Sequence, residues 1–599
     1  MSLSVGRFSL NLRTLLAITL AFSFLGISEN SQAKAATVSW VLRDPGSVNT
    51  PTTLALVGLE QGSNPFDPAT ANVTAKITTP DGQELQTALF WFQDYALVTH
   101  FSQVSSQPVG AGEWRLRLRT MKVGTYSISV NATIDGTKVE IPQYSFESKI
   151  ASAPQFATNS LGFTRGDTPF VPIAYNIAWS NRYEEITKYT QWFKAASAAG
   201  VNVARVWMAS WDMGIEWADT GLGNYSKRLD RAWALDQVFA IGQKYGVNID
   251  LVLLNHGAFS ESTNPEFFSS PYNSSNGGPI SDPAKFVTDP TSIKFWHQRL
   301  RYIAARWGAE PNLFSWEWWN EVNFTPIDQN ELTTWIKDSH LYVDQFAPYK
   351  SLTTTSWSNG ASLRDWSSVD YVSIHVYDSG DPIKSLGIQY QAIKAVAPDK
   401  PALIAEFGSG SNGEDVFVDP YGLHLHNSQY AATFIGFGAP ASYWWWDNYV
   451  DPLNLWKNER GLTQLIKGLD VAHMKPGEVF GINKTQSLTL TDANHLLGWV
   501  RLDAYCLSGQ AALRLDAALL ALKTHKKLQT VFPTPTSKGG NLAVTLPSTG
   551  DFHLTFTDSE SGKLIASTTL HATSVKVNIK VPAFTGDIAF RADREGSKP

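Results

Sequence analysis

Two carboxylates stand out by where they sit in the chain. Glu321 ends the run Phe314-Ser315-Trp316-Glu317-Trp318-Trp319-Asn320-Glu321, and Glu406 ends Pro401-Ala402-Leu403-Ile404-Ala405-Glu406. An apolar, aromatic stretch that stops at an acid reads as a buried strand delivering a functional group at its own C-terminal tip. Two acids brought to one cleft can divide a displacement between them. One donates a proton to a leaving oxygen while the other attacks the carbon it leaves, which at an anomeric carbon cleaves a glycosidic bond. The two tasks need pKa values pushed apart. Hydrogen bonds from Arg205 and Tyr377 are expected to hold Glu406 ionised, and aromatic surroundings with the nearby charge of Glu406 are expected to keep Glu321 protonated. Asn320, beside the acid, is placed to hydrogen-bond a sugar 2-hydroxyl.

Elements that could position this pair follow from the patterning of residues 151–475. Strands are expected at 170–174, 202–208, 249–254, 314–321, 351–356, 371–376, 402–405 and 441–446. Helical spacing lies between them, as at 183–199, 231–244, 291–307 and 329–345, and 461–474 can close the series. Alternation of buried strand, loop and helix points to an α/β fold, a (β/α)8 TIM barrel, although an open doubly wound sheet has similar local signals. In a barrel the strand tips share one rim. There the first strand brings Asn176 and Trp179, the second Arg205, Trp207 and Trp211, and the third Asn255 and His256. The sixth brings His375 and Tyr377, and the eighth Trp444-Trp445-Trp446-Asp447. Eighteen of the 22 tryptophans fall within this segment, and a wet rim lined with rings suits the apolar faces of pyranose sugars.

The rest of the chain frames that segment. Residues 1–35 carry Arg7 and Arg13, an apolar run at 15–27 and Ala33-Lys34-Ala35, the pattern of a cleaved signal peptide. The expected product is therefore secreted or periplasmic, with no membrane attachment after cleavage. Residues 36–150 show short alternating segments broken by turns such as Pro80-Asp81-Gly82, read as an accessory β-sandwich. Residues 476–599 return to the same rhythm, read as a second β-sandwich with a helical or extended insert at 513–522. A formal net charge of −6 excludes a basic surface for nucleic acid. Cys506 is the only cysteine, which excludes an internal disulfide and a multi-cysteine metal site. Oligomeric state is not legible here.

Four motifs in strand order carry a resemblance. Trp319-Asn320-Glu321, His375-x-Tyr377, Ala405-Glu406-Phe407-Gly408 and a strand-eight tryptophan resemble the retaining clan A glycoside hydrolases, most nearly the family 5 cellulases and mannanases, over residues 155–475. Arg205 and His256 fall where that family carries its substrate-site arginine and histidine. The N-terminal segment, with Asn64-Pro65-Phe66-Asp67 and Gly112-x-Trp114-x-Leu116-x-Leu118, resembles a domain of unknown function found ahead of such barrels. The resemblance implies Glu321 as acid/base, Glu406 as nucleophile, retention of configuration, and neither cofactor nor metal. Val322-Asn323 stands where the family commonly has proline, which leaves a family 39-like reading open.

Competing assignments sharpen these expectations. Alternation places Glu317, Trp319 and Glu321 on one face, so Glu317 rivals Glu321 but is expected to be buried against an arginine such as Arg205. Trp444 and Trp446 share a face, so either can be the sugar platform while Trp445 packs against helices. Trp179 and Trp211 are further subsite candidates. The long loop at 259–289 reads as one wall of the cleft. The expected activity is a retaining endo-β-glycosidase on a β-linked polysaccharide, β-1,4-mannan or β-1,4-glucan foremost. An exo-acting β-glycosidase on oligosaccharides and a catalytically silent carbohydrate-binding barrel are the alternatives, and the presence of both Glu321 and Glu406 weighs against the last.

Overall fold

The structure, a computed structural model, describes residues 38–358, 365–524 and 534–596. The proposed leader at 1–35 lies outside the described residues, so nothing in the fold bears on it. Among the described residues no helix is long and apolar enough to cross a membrane.

A parallel sheet runs in the order Ala174–Asn176, Val203–Trp207, Asn248–Val252, Leu313–Glu317 and Leu352–Thr354. A second parallel run takes Ser356–Ser358, Val372–Tyr377 and Ala402–Gly408. One residue, Thr355, separates the two, and the Ser356 amide still donates to Trp319 O while the Trp318 amide donates to Thr354 O. At the other side Phe407 bridges Tyr443, and the Asn176 amide donates to Tyr443 O, returning to the first strand. This mixed α/β arrangement is consistent with a TIM barrel. Its strands are buried on both faces and read as continuous apolar runs, as parallel strands under helices must.

Local chemistry sets the helix boundaries. The helices Pro290–Trp307 and Pro382–Val396 both begin at an Asp-Pro pair, with Asp289 and Asp381 accepting from the amides of Ser292 and Ile383. Glu185–Ala199 and Leu229–Tyr245 both end on a left-handed glycine, Gly200 and Gly246.

Several expected boundaries shift. Residues 170–174 are not a strand of the parallel sheet: Thr168–Phe170 belongs to a small antiparallel sheet, and the first parallel strand is Ala174–Asn176. Residues 351–356 divide into two short strands around Thr355. The segment 441–446 forms no strand of its own, contributing only the Tyr443 bridge before the chain coils into a helical turn at Trp446–Val450. The closing helix is short, Arg460–Leu465, where 461–474 was expected. The insert near 513–522 is helical, within Leu507–Thr524.

Residues 38–148 form antiparallel sheets of four and five strands that share one apolar core of Leu54, Leu56, Trp114 and Leu116 against Val73, Ile77, Tyr126 and Ile128. The C-terminal residues form sheets of six and three strands around Leu496, Leu542, Phe552, Phe556 and Phe590. Neither flank is detached. The central core takes in Phe66, Phe90 and Phe92 from one side and Leu497, Trp499 and Ala589 from the other. Charged contacts reinforce both seams: Arg117 Nη1 reaches Asp236 at 3.0 Å and Glu310 at 3.1 Å, and Arg501 Nη2 reaches Asp381 at 2.6 Å.

Candidate active site

Glu406 lies inside the Ala402–Gly408 strand, beside a register shift opposite His375, so its side chain turns into the sheet's interior mouth. Arg205 Nη1 donates to Oε1 at 2.6 Å and the Tyr377 hydroxyl donates to Oε2 at 2.7 Å. Glu321 reaches the site differently. The strand ends at Glu317, and Glu321 sits with left-handed backbone (φ 48°), a conformation a non-glycine residue holds only when its surroundings impose it. Its amide donates to Ser356 Oγ at 2.9 Å.

His375 stands between the two acids. Its Nδ1 is 2.9 Å from Glu321 Oε1 and 3.2 Å from Glu406 Oε2. One carboxylate oxygen of each glutamate and a His375 ring nitrogen all fall within 4.8 Å of one another. Burial pushes the His375 pKa down to about 4, overcoming the pull of Glu406, so the ring is neutral near neutral pH. Its Nε2 is buried with no partner among the described residues, which leaves Nδ1 as the working nitrogen. The same cluster of acid, histidine and acid has the donor types and closeness to accept a divalent cation, but each group already has an acid–base partner in the site.

Burial raises the pKa of both glutamates. For Glu406, burial outweighs the lowering by His375, Arg205 and the Tyr377 hydrogen bond, and the charge of Glu321 adds to the rise. For Glu321, burial outweighs His256 and Arg205. The expected donors to Glu406 are present, yet they do not drive its pKa below the usual range. Two buried acids this close cannot both ionise easily, because the charge of one raises the pKa of the other.

Arg205, expected among the substrate contacts, does not line the cavity. It is 2% exposed, and its fork is fully used: Nε and Nη2 pair with both oxygens of Glu317 at 2.7 Å, Nη2 also donates to Asn320 Oδ1 at 2.7 Å, and Nη1 donates to Asn176 Oδ1 at 3.1 Å as well as to Glu406. Glu317, fully buried, is thereby held in the interior and away from the cleft. The expected alternation of 317, 319 and 321 fails. Trp319 packs outward against Phe259, Phe286 and Trp335, and Asn320 takes the inward place beside Arg205.

The acids open into a cavity of about 760 Å³. Trp179, Trp207, Trp211 and Trp444 line one part of it, and Asn255, His256, Asn264 and Glu266 another. Ser358, Phe324, Ser411 and Asn412 complete the mouth. His256 Nδ1 lies 3.2 Å from Asn320 Nδ2 and 3.5 Å from Glu321 Oε2. Trp446, the other expected platform, does not line the cavity: it is 1% exposed, packed against Trp179, Trp192 and Trp444. Trp444 is the strand-eight ring that reaches the cavity, while Trp445 tethers the neighbouring loop through Nε1 to Gly410 O at 3.1 Å. Asn264, Glu266 and Asn412 were missed from sequence because they sit on loops, where periodicity says nothing, and Phe324 and Ser358 because the short turn Val322–Phe324 and the short strand Ser356–Ser358 run past the ends of the expected strands. The length of the 259–289 loop was the one available signal, and short helical turns at Gly257–Phe259, Phe267–Ser269, Ser274–Asn276 and Pro283–Val287 structure it.

No protein-family model matches this chain, and no curated protein does. Among solved structures, a candidate glycoside hydrolase from Bacteroides vulgatus is similar over 91% of this chain and 98% of its own, at 14% identity and a TM-score of 0.54. A glycoside hydrolase family 5 protein from Bacteroides vulgatus matches 74% of this chain and 94% of its own at 13% identity, TM-score 0.45. A β-1,4-D-mannanase from Cryptopygus antarcticus matches 51% of this chain and 93% of its own at 16% identity, TM-score 0.38. The first of these is a likeness of fold, and its share of the chain is larger than the central α/β segment alone could supply.

Proposed function

We propose that this protein is a retaining glycoside hydrolase of the clan A type, similar to family 5, built on a (β/α)8 barrel with β-sandwich domains at 36–150 and 476–599. The observation that carries the reading is the approach of a Glu321 oxygen and a Glu406 oxygen to within 4.8 Å across a ring-lined cavity. Retaining enzymes hold their two carboxyl groups about 5–5.5 Å apart, whereas inverting ones leave about 6.5–9.5 Å for a water.

In the first step Glu406 attacks the anomeric carbon, forming a glycosyl ester, while Glu321 gives its proton to the departing glycosidic oxygen. In the second, water loses a proton to Glu321 and its oxygen displaces Glu406, restoring the original configuration. The structure supports a division of labour. Glu406 is gripped at both oxygens by Arg205 and Tyr377, which orients one lone pair and disperses charge. Among the described residues Glu321 has no cation as tightly bound, and its histidine contacts suit a group that gains and loses a proton. Asn320, His256 and the tryptophans are assigned to the sugar. The substrate is a β-linked polysaccharide or its oligosaccharides, with β-1,4-mannan and β-1,4-glucan the foremost choices. Endo action on the polysaccharide is the first reading and exo action on its oligosaccharides the second, and export is favoured by the leader pattern at the N-terminus.

The test is a pair of truncations. Glu406→Ala is expected to abolish hydrolysis and to recover turnover with azide as a glycosyl azide of inverted configuration. Glu321→Ala is expected to keep turnover only on substrates whose leaving group needs no protonation. Wild-type activity in either variant refutes the assignment.

A further inference from the structure

The cavity is electrostatically one-sided. Its lining includes the carboxylates of Glu266, Glu321 and Glu406, and among the described residues neither lysine nor arginine lines it. Glu266 is the unassigned member of that set. Its backbone is fixed at both ends: the amide donates to Gly257 O at 2.9 Å, and the carbonyl accepts from the Ser269 amide at 2.9 Å and hydroxyl at 3.0 Å. Phe267, next in sequence, is buried among Phe259 and its neighbours, so the loop presents Glu266 from a packed base. Gly257 allows this approach. A side chain there would stand 2.7 Å from Asn264 O and 3.4 Å from the Glu266 carboxyl carbon.

Among the described residues the Glu266 carboxylate has one hydrogen-bond contact, a long 3.5 Å approach from Ser210 Oγ. Ser210 precedes Trp211, the most exposed ring of the aromatic wall at 39%. The same cavity lining thus holds a flat apolar surface and a carboxylate with free lone pairs, linked through Ser210. A pyranose has the matching shape: C–H groups on its face for the ring, and hydroxyl groups on its edge for the acid. An anionic sugar would add a negative charge to those of Glu266 and the Glu321–Glu406 pair, in a cavity whose described lining has no lysine or arginine to offset it.

Resting on the glycosidase reading, we propose that Glu266 and Trp211 form a sugar subsite in which Glu266 accepts hydrogen bonds from the hydroxyls of a neutral pyranose and excludes uronates. Glu266 is on this account a specificity-determining residue and takes no part in bond cleavage.

The experiment compares wild type with Glu266→Ala, Glu266→Gln and Glu266→Lys on short manno- and cello-oligosaccharides and on counterparts carrying a glucuronate unit. Binding is measured by calorimetry beside hydrolysis. The expected result is a KM on neutral substrates raised about ten-fold or more in Glu266→Ala, with kcat changed much less, and a smaller rise in Glu266→Gln, whose amide oxygen still accepts. Glu266→Lys is expected to shift the preference toward the uronate-bearing substrate. Hydrolysis by wild type with the same KM in Glu266→Ala overturns the subsite, as does equal wild-type use of neutral and uronate-bearing substrates. Absent hydrolysis with binding that still weakens in Glu266→Ala sinks the glycosidase reading and leaves the subsite standing. Binding of neither substrate class overturns both.

Discussion

Replacing Arg205 by lysine keeps the positive charge and changes only its shape, which makes it a clean probe of what the guanidinium does. Arg205 donates five hydrogen bonds, to both oxygens of Glu317, to Glu406, to Asn176 and to Asn320, from a position 2% exposed. An ammonium has three donors at a single point and cannot span two carboxylates on opposite sides of a planar fork. At least two acceptors are stranded in a dry interior. At about 1–3 kcal/mol for each unsatisfied group, the variant loses roughly 2–6 kcal/mol of stability. The catalytic consequence has a sign as well. Burial already raises Glu406, and Arg205 is among the groups that oppose that rise. Loosening that contact raises Glu406 further, so the acid limb of kcat/KM, where the proposed nucleophile must be ionised, moves to higher pH. Denaturant unfolding and a pH profile on one β-linked oligosaccharide measure the two effects separately. An Arg205→Lys enzyme within about 0.5 kcal/mol of wild type, with its acid limb in place, refutes the claim that Arg205 positions the nucleophile.

Two further substitutions separate neighbouring tryptophans. Trp446→Ala empties a fully packed site and should cost about 3–5 kcal/mol in denaturant unfolding, whereas Trp444→Ala should raise KM with a smaller stability loss; the reverse pattern contradicts the assigned platform. The seam to the C-terminal sheets should be pH-sensitive through His426 Nε2 and Asp587 Oδ2, 2.8 Å apart. Burial works against the His426 cation, but the charge and hydrogen bond of Asp587 overcome it and raise the histidine's pKa, while Asp587 is lowered because His426, Ser559 and Trp499 overcome its burial. The histidine's contribution is therefore complete below its unfolded pKa of about 6.5 and fades as pH rises through the raised value. That of Asp587 is present above its ordinary range and fades as pH falls through its lowered one. Unfolding midpoints of wild type and His426→Gln should converge with rising pH; parallel curves from about pH 6 to 9 would exclude the pair as the source.

What could be read from the chain alone depended on how the signal is encoded. Buried parallel strands announce themselves as apolar runs, so Val203–Trp207, Asn248–Val252, Leu313–Glu317 and Ala402–Gly408 were legible, and with the last two the acids, although Glu321 lies four residues past its strand and Glu406 inside its own. The helices Glu185–Ala199, Leu229–Tyr245 and Pro290–Trp307 were legible to within a few residues from their glycine stops or Asp-Pro start, whereas Pro382–Val396 was not among the expected helices despite its own Asp-Pro start. Weaker elements were not. The eighth segment, 441–446, is held by one bridge and a few backbone bonds rather than a ladder, and its tryptophans mimic a strand by burying themselves in one another. Trp446 and Trp444 are separated by their surroundings: a neighbouring ring covers one and the cavity bares the other. Period-two counting has no access to that difference. Arg205 shows a related limit. Its position on the second strand and its pairing with Glu317 and Glu406 were readable, but that these acids together with Asn176 and Asn320 use up its fork, and leave it out of the cavity lining, was not.

Failure of alternation at Trp319 explains how one short segment serves both the core and the cleft. A regular strand through residue 321 would point Glu317, Trp319 and Glu321 the same way, forcing a tryptophan into the place Asn320 now occupies beside Arg205. Ending the strand at Glu317 frees the next residues from that period. Trp318 and Trp319 both turn outward, toward His340 and toward Trp335, and Asn320 turns in. Glu321 then needs a backbone reversal to return to the mouth, which its left-handed φ of 48° supplies. Such a conformation costs on the order of 1–3 kcal/mol for a residue with a side chain. Ser356 Oγ, accepting from the Glu321 amide, and Val322, buried in the core directly after it, hold the reversal in place. The strain is local and fixed by neighbours on the adjoining strand, so the acid reaches His375 and Glu406 already oriented.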